Sequence, residues 1–179
     1  LIIGKQIKQI ENLVNEFSDF ARMPKPILKD NNLVSLIKDN IKLINELDNK
    51  IIIDFKSSKS DILLNSDSEQ LSRVFFNLIK NSIESIQDKK IEDVNLIGKI
   101  DISLNENVER INFIIIDNGI GFEIFADNIK NILNPYFTTK KKGIGLGLSI
   151  VNKIINDHDG KINFVSLDNG AKIEIMFTK

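Results

Sequence analysis

Three polar interruptions in otherwise apolar stretches mark where this 179-residue sequence could do chemistry. In NLIKNSIES, residues 77–85, Asn77 and Asn81 stand about one helical turn apart, so a helix would present both amides on one face. Asparagine is a poor interior helix former, and a buried stripe has no use for it. Asn81 could lend its carbonyl oxygen to a hydrated Mg²⁺, a cation that takes few protein ligands and leaves its other positions to phosphate oxygens and water. The competing reading is a helix-surface asparagine making a local bond, and for Asn77 alone that reading is preferred.

The second interruption is Asp117, which closes the apolar run IIID and is followed by NGIGF. A carboxylate at a strand end can accept a hydrogen bond from an exocyclic amine such as that of adenine, and Gly119 and Gly121 would let a flat ring approach the backbone. Asn118-Gly119 also fits a hairpin turn, and the local sequence does not separate the two readings.

The third is NPYFTTKKKGIGLGL, residues 134–148, a long polar connection of the kind that forms lids. Lys140, Lys141 and Lys142 either steer a polyphosphate or form a solvated face. Gly143, Gly145 and Gly147 alternate with Ile144 and Leu146 just ahead of a helix-like run. A backbone that bare before a helix start suits a phosphate, because the free N–H groups of the first turn are donors with partial positive charge; a glycine-rich hinge is the alternative. The dinucleotide fingerprint is excluded, since its third glycine would fall at Leu148, and so is the Walker loop, since Gly-Lys-Ser/Thr is absent.

These residues need a scaffold, and the rest of the chain predicts one. The composition, 42% hydrophobic and 27% charged, is that of a globular domain. A formal net charge of -1 provides no global field for nucleic acid or an anionic membrane. Without cysteine there are no disulfides or thiolate metal sites, which fits a reducing compartment. No apolar run approaches the roughly 20 residues of a membrane span, and LIIGKQIKQ lacks the apolar core of a signal peptide. Because the chain begins at Leu1, it reads as a fragment, with a membrane segment upstream left open.

Ile3, Ile7, Ile10, Val14, Phe17 and Ala21 follow at steps of four and three, the seam of a coiled coil or four-helix bundle. Such a seam packs against a second copy or another helix, or else lies on the globular domain. MPKP at 23–26 ends that helix as a linker. Helices are then predicted at 33–44, 67–86 and 148–156, and strands at 51–55, 62–64, 100–104, 111–116, 162–166 and 172–177. Ser66 with Glu69, or Asp67 with Gln70, offers a capping box for the second of these helices, and Asn169-Gly170 a hairpin turn. Antiparallel strand pairs with interspersed helices predict an α+β two-layer sandwich, helices on one face of a largely antiparallel mixed sheet, preceded by a long helix.

Each signal is weak alone, but their order is specific. Asn81 in NLIKNSIES, Asp117 in DNGIGF, PYFTTK and then GIGLGLSIV resemble, in sequence, the N, G1, F and G2 boxes of sensor histidine kinases. That family belongs to a wider ATPase/kinase superfamily including the ninety-kilodalton heat-shock chaperone, gyrase and the mismatch-repair ATPases. The resemblance runs from about Leu33 to the end, and NEFSDFARMPKP before it looks like the second dimerisation helix of the nitrogen-regulation (NtrY-like) branch.

The resemblance implies a Bergerat-type ATP-binding fold with residues 1–25 as part of a dimerisation bundle and 26–179 as the catalytic domain. It implies ATP and Mg²⁺ as ligands, with Asn81 holding the metal and Asn77 and Lys80 near the phosphates. Asp117 would bind the adenine amine, Gly119 and Gly121 shape the pocket floor, and Phe137 and Lys140 belong to the lid. Gly143, Gly145, Gly147 and the adjoining Leu148 would set backbone N–H groups around the phosphates. Implied partners are the protein's own dimerisation helix, a second protomer in a homodimer and a response regulator, with no nucleic acid; the implied setting is the cytoplasmic part of a membrane-anchored sensor.

Related ATPases place a glutamate general base one turn before the metal asparagine, where this chain has Asn77, an amide that takes no proton. That favours phosphoryl transfer to histidine over hydrolysis. The single histidine, His158 in INDHDGKI, resembles the family's His-Gly-Gly stretch and is expected to be structural rather than the phosphoacceptor. Glu84 stands where some relatives carry a lysine, so phosphate charge would be met by Lys80 or Lys140. Ala171-Lys172 replaces threonines that many relatives place before the last strand. Two other functions fit the same motifs less well: a non-catalytic nucleotide-sensing or dimerisation module, against which the intact boxes argue, and an ATP-hydrolysing domain, against which Asn77 argues.

Overall fold

The computed structural model describes residues 4, 7, 11, 14, 18, 22–47, 50–122, 132–135, 137 and 145–179. Gly4, Ile7, Glu11, Val14 and Ser18 are helical, as the 4-3 spacing predicts. Ile7 and Val14, the two described members of the seam, are 60% and 54% exposed.

The linker is pinned down. Ile27 N–H donates to Asp67 Oδ2 at 2.9 Å, and Gln70 Nε2 donates to the Pro24 carbonyl at 3.0 Å. Strand β1 (Lys29–Asn32) pairs antiparallel with β3 (Leu63–Ser66) in a small separate sheet. β1 is a strand the sequence does not announce: KDNN is polar throughout, and only the pairing with β3 makes it extended. Helix α1 (Leu33–Leu47) follows, with Val34 N–H donating to Asn32 Oδ1 at its start.

The main sheet has the order β2-β4-β5-β7-β6, built from β2 (Ile52–Ser57), β4 (Lys99–Glu106), β5 (Arg110–Asp117), β7 (Gly170–Thr178) and β6 (Lys161–Leu167). β2 runs parallel to β4 and every other pair is antiparallel, so the sheet is mixed and largely antiparallel, as predicted. Along β5, Ile111, Phe113, Ile115 and Asp117 are buried, while the residues between them are half-buried. The period of two puts one face against the helices and leaves the other open.

Helix α2 (Ser68–Glu92) lies across the buried face, with Leu71, Val74, Phe75, Leu78, Ile79, Ile83 and Ile86 in the core. Phe75 meets Phe113 of β5 at 4.9 Å between ring centroids, a contact that adds about 1 kcal/mol beyond its burial. α2 runs past the predicted end at Ile86: Gln87–Glu92 has Ile91 as its one apolar residue, and that one is 79% exposed, so the stretch carries no buried periodicity, yet most of its residues favour helix. Helix α3 (Gly147–Asp157) packs beside α2 on the same face.

Of the two capping boxes, the structure uses Asp67. Its Oδ1 accepts from the Glu69 and Gln70 amides at 3.1 Å each, while Oδ2 takes the linker's Ile27. Burial alone would raise the Asp67 pKa, but these three backbone donors outweigh it and hold the carboxyl below its ordinary value. His158 completes the junction, accepting the Asp67 N–H at Nε2 (3.0 Å) with Nδ1 2.8 Å from the Ile154 carbonyl. A carbonyl can only accept, so Nδ1 carries the proton and Nε2 the lone pair. The ring thereby ties the end of α3 to the start of α2, which is the structural role expected for it.

A candidate nucleotide site between two helices and the end of β5

Asp117, the last residue of β5, is 5% exposed and faces α2. Its Oδ1 accepts the Gly119 N–H at 2.9 Å, and the Ser82 hydroxyl and the Ala171 backbone N–H lie near enough to favour the ionised carboxylate. Burial raises the Asp117 pKa above its ordinary value; the three donors and the Lys89 ammonium oppose that without cancelling it. A carboxylate offers about four acceptor positions, more than the Gly119 bond uses, so it can still accept from a ligand donor.

The loop after Asp117 is pressed against α2. Ile120 N–H donates to Ser85 Oγ at 3.1 Å, and a side chain at position 119 would bring its Cβ to 2.7 Å from the Ser85 carbonyl carbon and 2.8 Å from Ile86 N. Only glycine fits that approach. The hairpin-turn reading of Asn118-Gly119 is set aside: Asn118 instead ties the end of β5 to the start of β4, accepting the Lys99 N–H at 2.8 Å and donating to the Ile97 carbonyl at 2.8 Å. Gly121, buried with φ +71°, lies against Gly170 O, and Phe122 meets Phe164 of β6 edge-on at 5.8 Å.

Gly170 was legible only as a turn residue. The two-residue turn is Asp168–Asn169, and Gly170 is already the first residue of β7, opposite Leu167. Its φ of +109°, and a Cβ position 2.7 Å from the Asp117 carbonyl carbon, make it the spacer that lets β7 close over the end of β5. Next to it, Ala171 pairs with Asp117 in the ladder. The residue lacks a hydroxyl, but its backbone N–H favours the ionised form of the carboxylate. Lys172 belongs to the open face, where it pairs with Glu174 at 2.5 Å.

On α2, Asn77 and Asn81 are both half-buried, and neither side chain hydrogen-bonds a described residue. Ser82, the neighbour of Asn81, is 3% exposed and favours the ionised form of the Asp117 carboxylate. Lys80 is exposed and 3.9 Å from Glu84, a loose surface pair of little energy, so its ammonium is not locked in place. Among the described residues no group of three His, Cys, Asp or Glu is arranged to hold a metal.

α3 begins without a side-chain cap at Leu146. The first backbone bond of the helix is Ile150 N–H to Leu146 O, so the amides of Gly147, Leu148 and Ser149 precede it as the orphan donors every helix start carries. A Cβ on Gly147 would meet nothing within 4 Å, so packing does not demand glycine there. Gly145 has φ +74°, and Leu148 packs against the core. Phe137 is half-buried, its N–H donating to Asn134 O at 3.2 Å. Lys140 and Gly143 lie outside the described residues.

The two-layer α+β sandwich thus carries a buried carboxylate at the end of β5, two half-buried amides on α2 and a start of α3 without a side-chain cap. Residues 66–179 match the family described as histidine kinase-, DNA gyrase B- and HSP90-like ATPase, and the chain belongs to it. Over 177 residues it is 34% identical to a putative sensor histidine kinase, NtrY-like, of Rickettsia prowazekii, covering 98% of this chain and 28% of that protein. It is also 34% identical over 176 residues to the nitrogen regulation protein NtrY of Azorhizobium caulinodans, covering 98% of this chain and 22% of that protein. The chain therefore spans about a quarter of the length of the relatives it matches. Among solved structures it is similar to the catalytic domain of histidine kinase ThkA in a nucleotide-free form, with TM-score 0.73, 28% identity, and 85% of this chain and 95% of that one covered. It is similar too to ThkA in complex with response regulator protein TrrA, with TM-score 0.74, 27% identity, and 99% of this chain and 49% of that one covered.

Proposed function

We propose that this chain is the ATP- and Mg²⁺-binding catalytic part of a two-component sensor histidine kinase. It delivers the γ-phosphoryl group of ATP to a histidine on a separate dimerisation helix, for onward relay to a response regulator. The observation that carries the reading is Asp117, a buried carboxylate at the end of β5 whose Oδ1 holds the Gly119 loop.

In this reading the Asp117 carboxylate takes the adenine amine, with Gly119 and Gly121 keeping the floor of the base pocket bare. Asn81 supplies the protein's ligand to Mg²⁺; a single neutral oxygen suits a cation whose other positions go to phosphates and water, and no carboxylate cage is needed. When bound, the metal neutralises charge on the β- and γ-phosphates. The amides of Gly147, Leu148 and Ser149 point their partial positive charge at the same phosphates, with Gly143, Gly145, Phe137 and Lys140 contributing from the lid. Asn77 offers an amide and no base, so the chain's own residues position and neutralise rather than activate water.

His158 is held between Asp67 N–H and Ile154 O, so the phosphoryl acceptor belongs to another helix. Residues 1–25 fit the second helix of a dimerisation bundle, since exposed Ile7 and Val14 call for a partner, and 26–179 fit the catalytic domain. A homodimer follows from that seam. No helix among the described residues is long and apolar enough to cross a membrane, and the proposed setting is the cytoplasmic side of a membrane-anchored sensor.

Calorimetry with Mg-ATP and Mg-ADP tests the site. Wild type should bind, and Asp117→Asn and Asn81→Ala should each lose at least tenfold in affinity while keeping the wild-type circular dichroism spectrum. If neither substitution weakens binding, the assignment is wrong. Transfer of phosphate to a separately supplied dimerisation segment then distinguishes a kinase from a nucleotide-sensing module.

A further inference from the structure

We infer that His158 is a proton-operated latch on the linker: the neutral ring helps hold residues 24–27 against the start of α2, and a second ring proton lets Ile27 go. The chain has one histidine, so a single side chain carries the device.

The latch is a run of hydrogen bonds that begins at the ring. Nδ1–H donates to the Ile154 carbonyl at 2.8 Å, which fixes the ring on the last turn of α3 and leaves Nε2 as the acceptor. Nε2 accepts the Asp67 N–H at 3.0 Å. Asp67 divides its carboxylate between two tasks: Oδ1 caps α2 through the Glu69 and Gln70 amides, and Oδ2 takes the Ile27 N–H at 2.9 Å. Ring, helix cap and linker therefore meet on one residue.

Protonating Nε2 sets a donor in front of a donor. The Asp67 N–H loses its acceptor, and the imidazolium N–H needs one. A charge-assisted bond to the carboxylate of the same residue is the stronger replacement, and Oδ2 is the oxygen outside the cap, so the ring takes it at the expense of Ile27. The ring is half-buried, open enough for a solvent proton, and imidazole is the side chain that changes charge between about pH 5 and 8.

The surrounding charges oppose one another. Asp67 and Glu69 at the start of α2, with Asp157 and Asp159 beside the ring, favour the second proton. Arg22 and Lys25 of the linker, Arg73 of α2, Lys153 of α3 and Lys161 of β6 disfavour it, and Lys153 is paired with Asp157 at 2.8 Å. The C-terminal end of α3 favours a cation on the ring and the N-terminal end of α2 disfavours one. Hydrogen-bond geometry then decides, and the docked junction has a place for one ring proton, not two. Docking at Ile27 weakens as the pH falls, by up to about tenfold per unit below the ring's titration. Gln70 still holds the Pro24 carbonyl, so the linker loosens around Ile27 without coming away. If the proposed kinase reading holds, that segment joins the bundle helix to the catalytic domain, and loosening it changes how freely the domain reaches the phosphoacceptor; the latch itself does not depend on that reading.

Nuclear magnetic resonance of the isotopically labelled chain from about pH 8 to about pH 5.5 reads ring and amides in one sample. At the upper end Nδ1 should be protonated and Nε2 bare. On acidification the Asp67 and Ile27 amides should shift with the same midpoint as the ring, and the hydrogen-exchange protection of the Ile27 N–H should fall about tenfold or more while that of Phe113 in β5 holds. The Asp67 carboxyl, kept below its ordinary value, stays ionised throughout and does not supply the transition. His158→Gln, whose side-chain oxygen can accept the Asp67 N–H and does not titrate, should keep Ile27 protected at both ends, with thermal melting reporting on its fold; the wild-type titration decides by itself if that variant does not fold. Linker amides that ignore the titration of the ring, or that move equally in a folded His158→Gln, would overturn the inference, and so would a ring protonated at Nε2 at the upper end. No nucleotide enters the measurement, so its failure leaves the Asp117 assignment untouched, and a failure of nucleotide binding leaves the latch standing.

Discussion

Replacing Gly170 by alanine should show how much of the site depends on one hydrogen atom. The added Cβ would lie 2.7 Å from the Asp117 carbonyl carbon and 2.9 Å from Asn118 Cα, both backbone atoms. No side chain can swing away to make room, so β7 must move off the end of β5. The φ of +109° is a second cost, since alanine rarely adopts it. Strain at such a backbone position is about 1–3 kcal/mol, and forcing an atom into a packed contact adds about as much. Together they predict a loss of about 3 kcal/mol or more, or roughly 6–12 °C in melting temperature for a domain of this size. The damage is local: the ladder pair Asp117–Ala171 opens, which disturbs the end of β5 that carries the carboxylate. Differential scanning calorimetry on wild type and Gly170→Ala measures the first effect, and titration with Mg-ADP measures the second. A variant that melts within 2 °C of wild type would refute the argument that β7 closes on β5 through this contact.

Gly147→Ala is the counterpart. With open space at its Cβ and a place in the first turn of α3, alanine there should leave stability unchanged or raise it by up to about 1 kcal/mol, yet weaken nucleotide binding by crowding the approach to the backbone amides. Melting and titration of the same sample check both halves. The pH dependence of binding should follow Asp117: burial raises its pKa, so the free protein holds a proton there above the ordinary carboxylate range. An amine donor favours the ionised form. Binding should therefore release a proton, and affinity should fall as the pH drops through the raised value; calorimetry in buffers of different ionisation enthalpy should show this in wild type and not in Asp117→Asn.

Much of this architecture is written locally. The alternation in RINFIIID makes a strand whose last inward position is Asp117, and the stripe Leu71, Val74, Phe75, Leu78, Ile79 makes a helix whose flank carries Asn77 and Asn81. Both follow from the periods of strand and helix. The Asn118-Gly119 dipeptide, by contrast, is as good a turn as any, and only its neighbours from 97–99 decide that the amide is a bridge. Likewise two capping boxes competed at 66–70, and Asp67 prevails with the Ile27 amide on its second oxygen and the His158 ring on its N–H.

The sequence by itself determined most of the elements and their order, the inward residues and the identities of the amides, carboxylate and glycines, because these depend on side-chain type and on spacing along one chain. The tertiary structure decided what no single segment carries. It set β2 parallel beside β4, made a strand of KDNN by pairing it with LLNS, pressed the loop at Gly119 against Ser85 of α2, and turned Gly170 from a turn residue into the spacer between β5 and β7. Each of these is a contact between residues distant in sequence, and such a contact exists only once the hydrophobic faces of the sheet and helices have closed on one another.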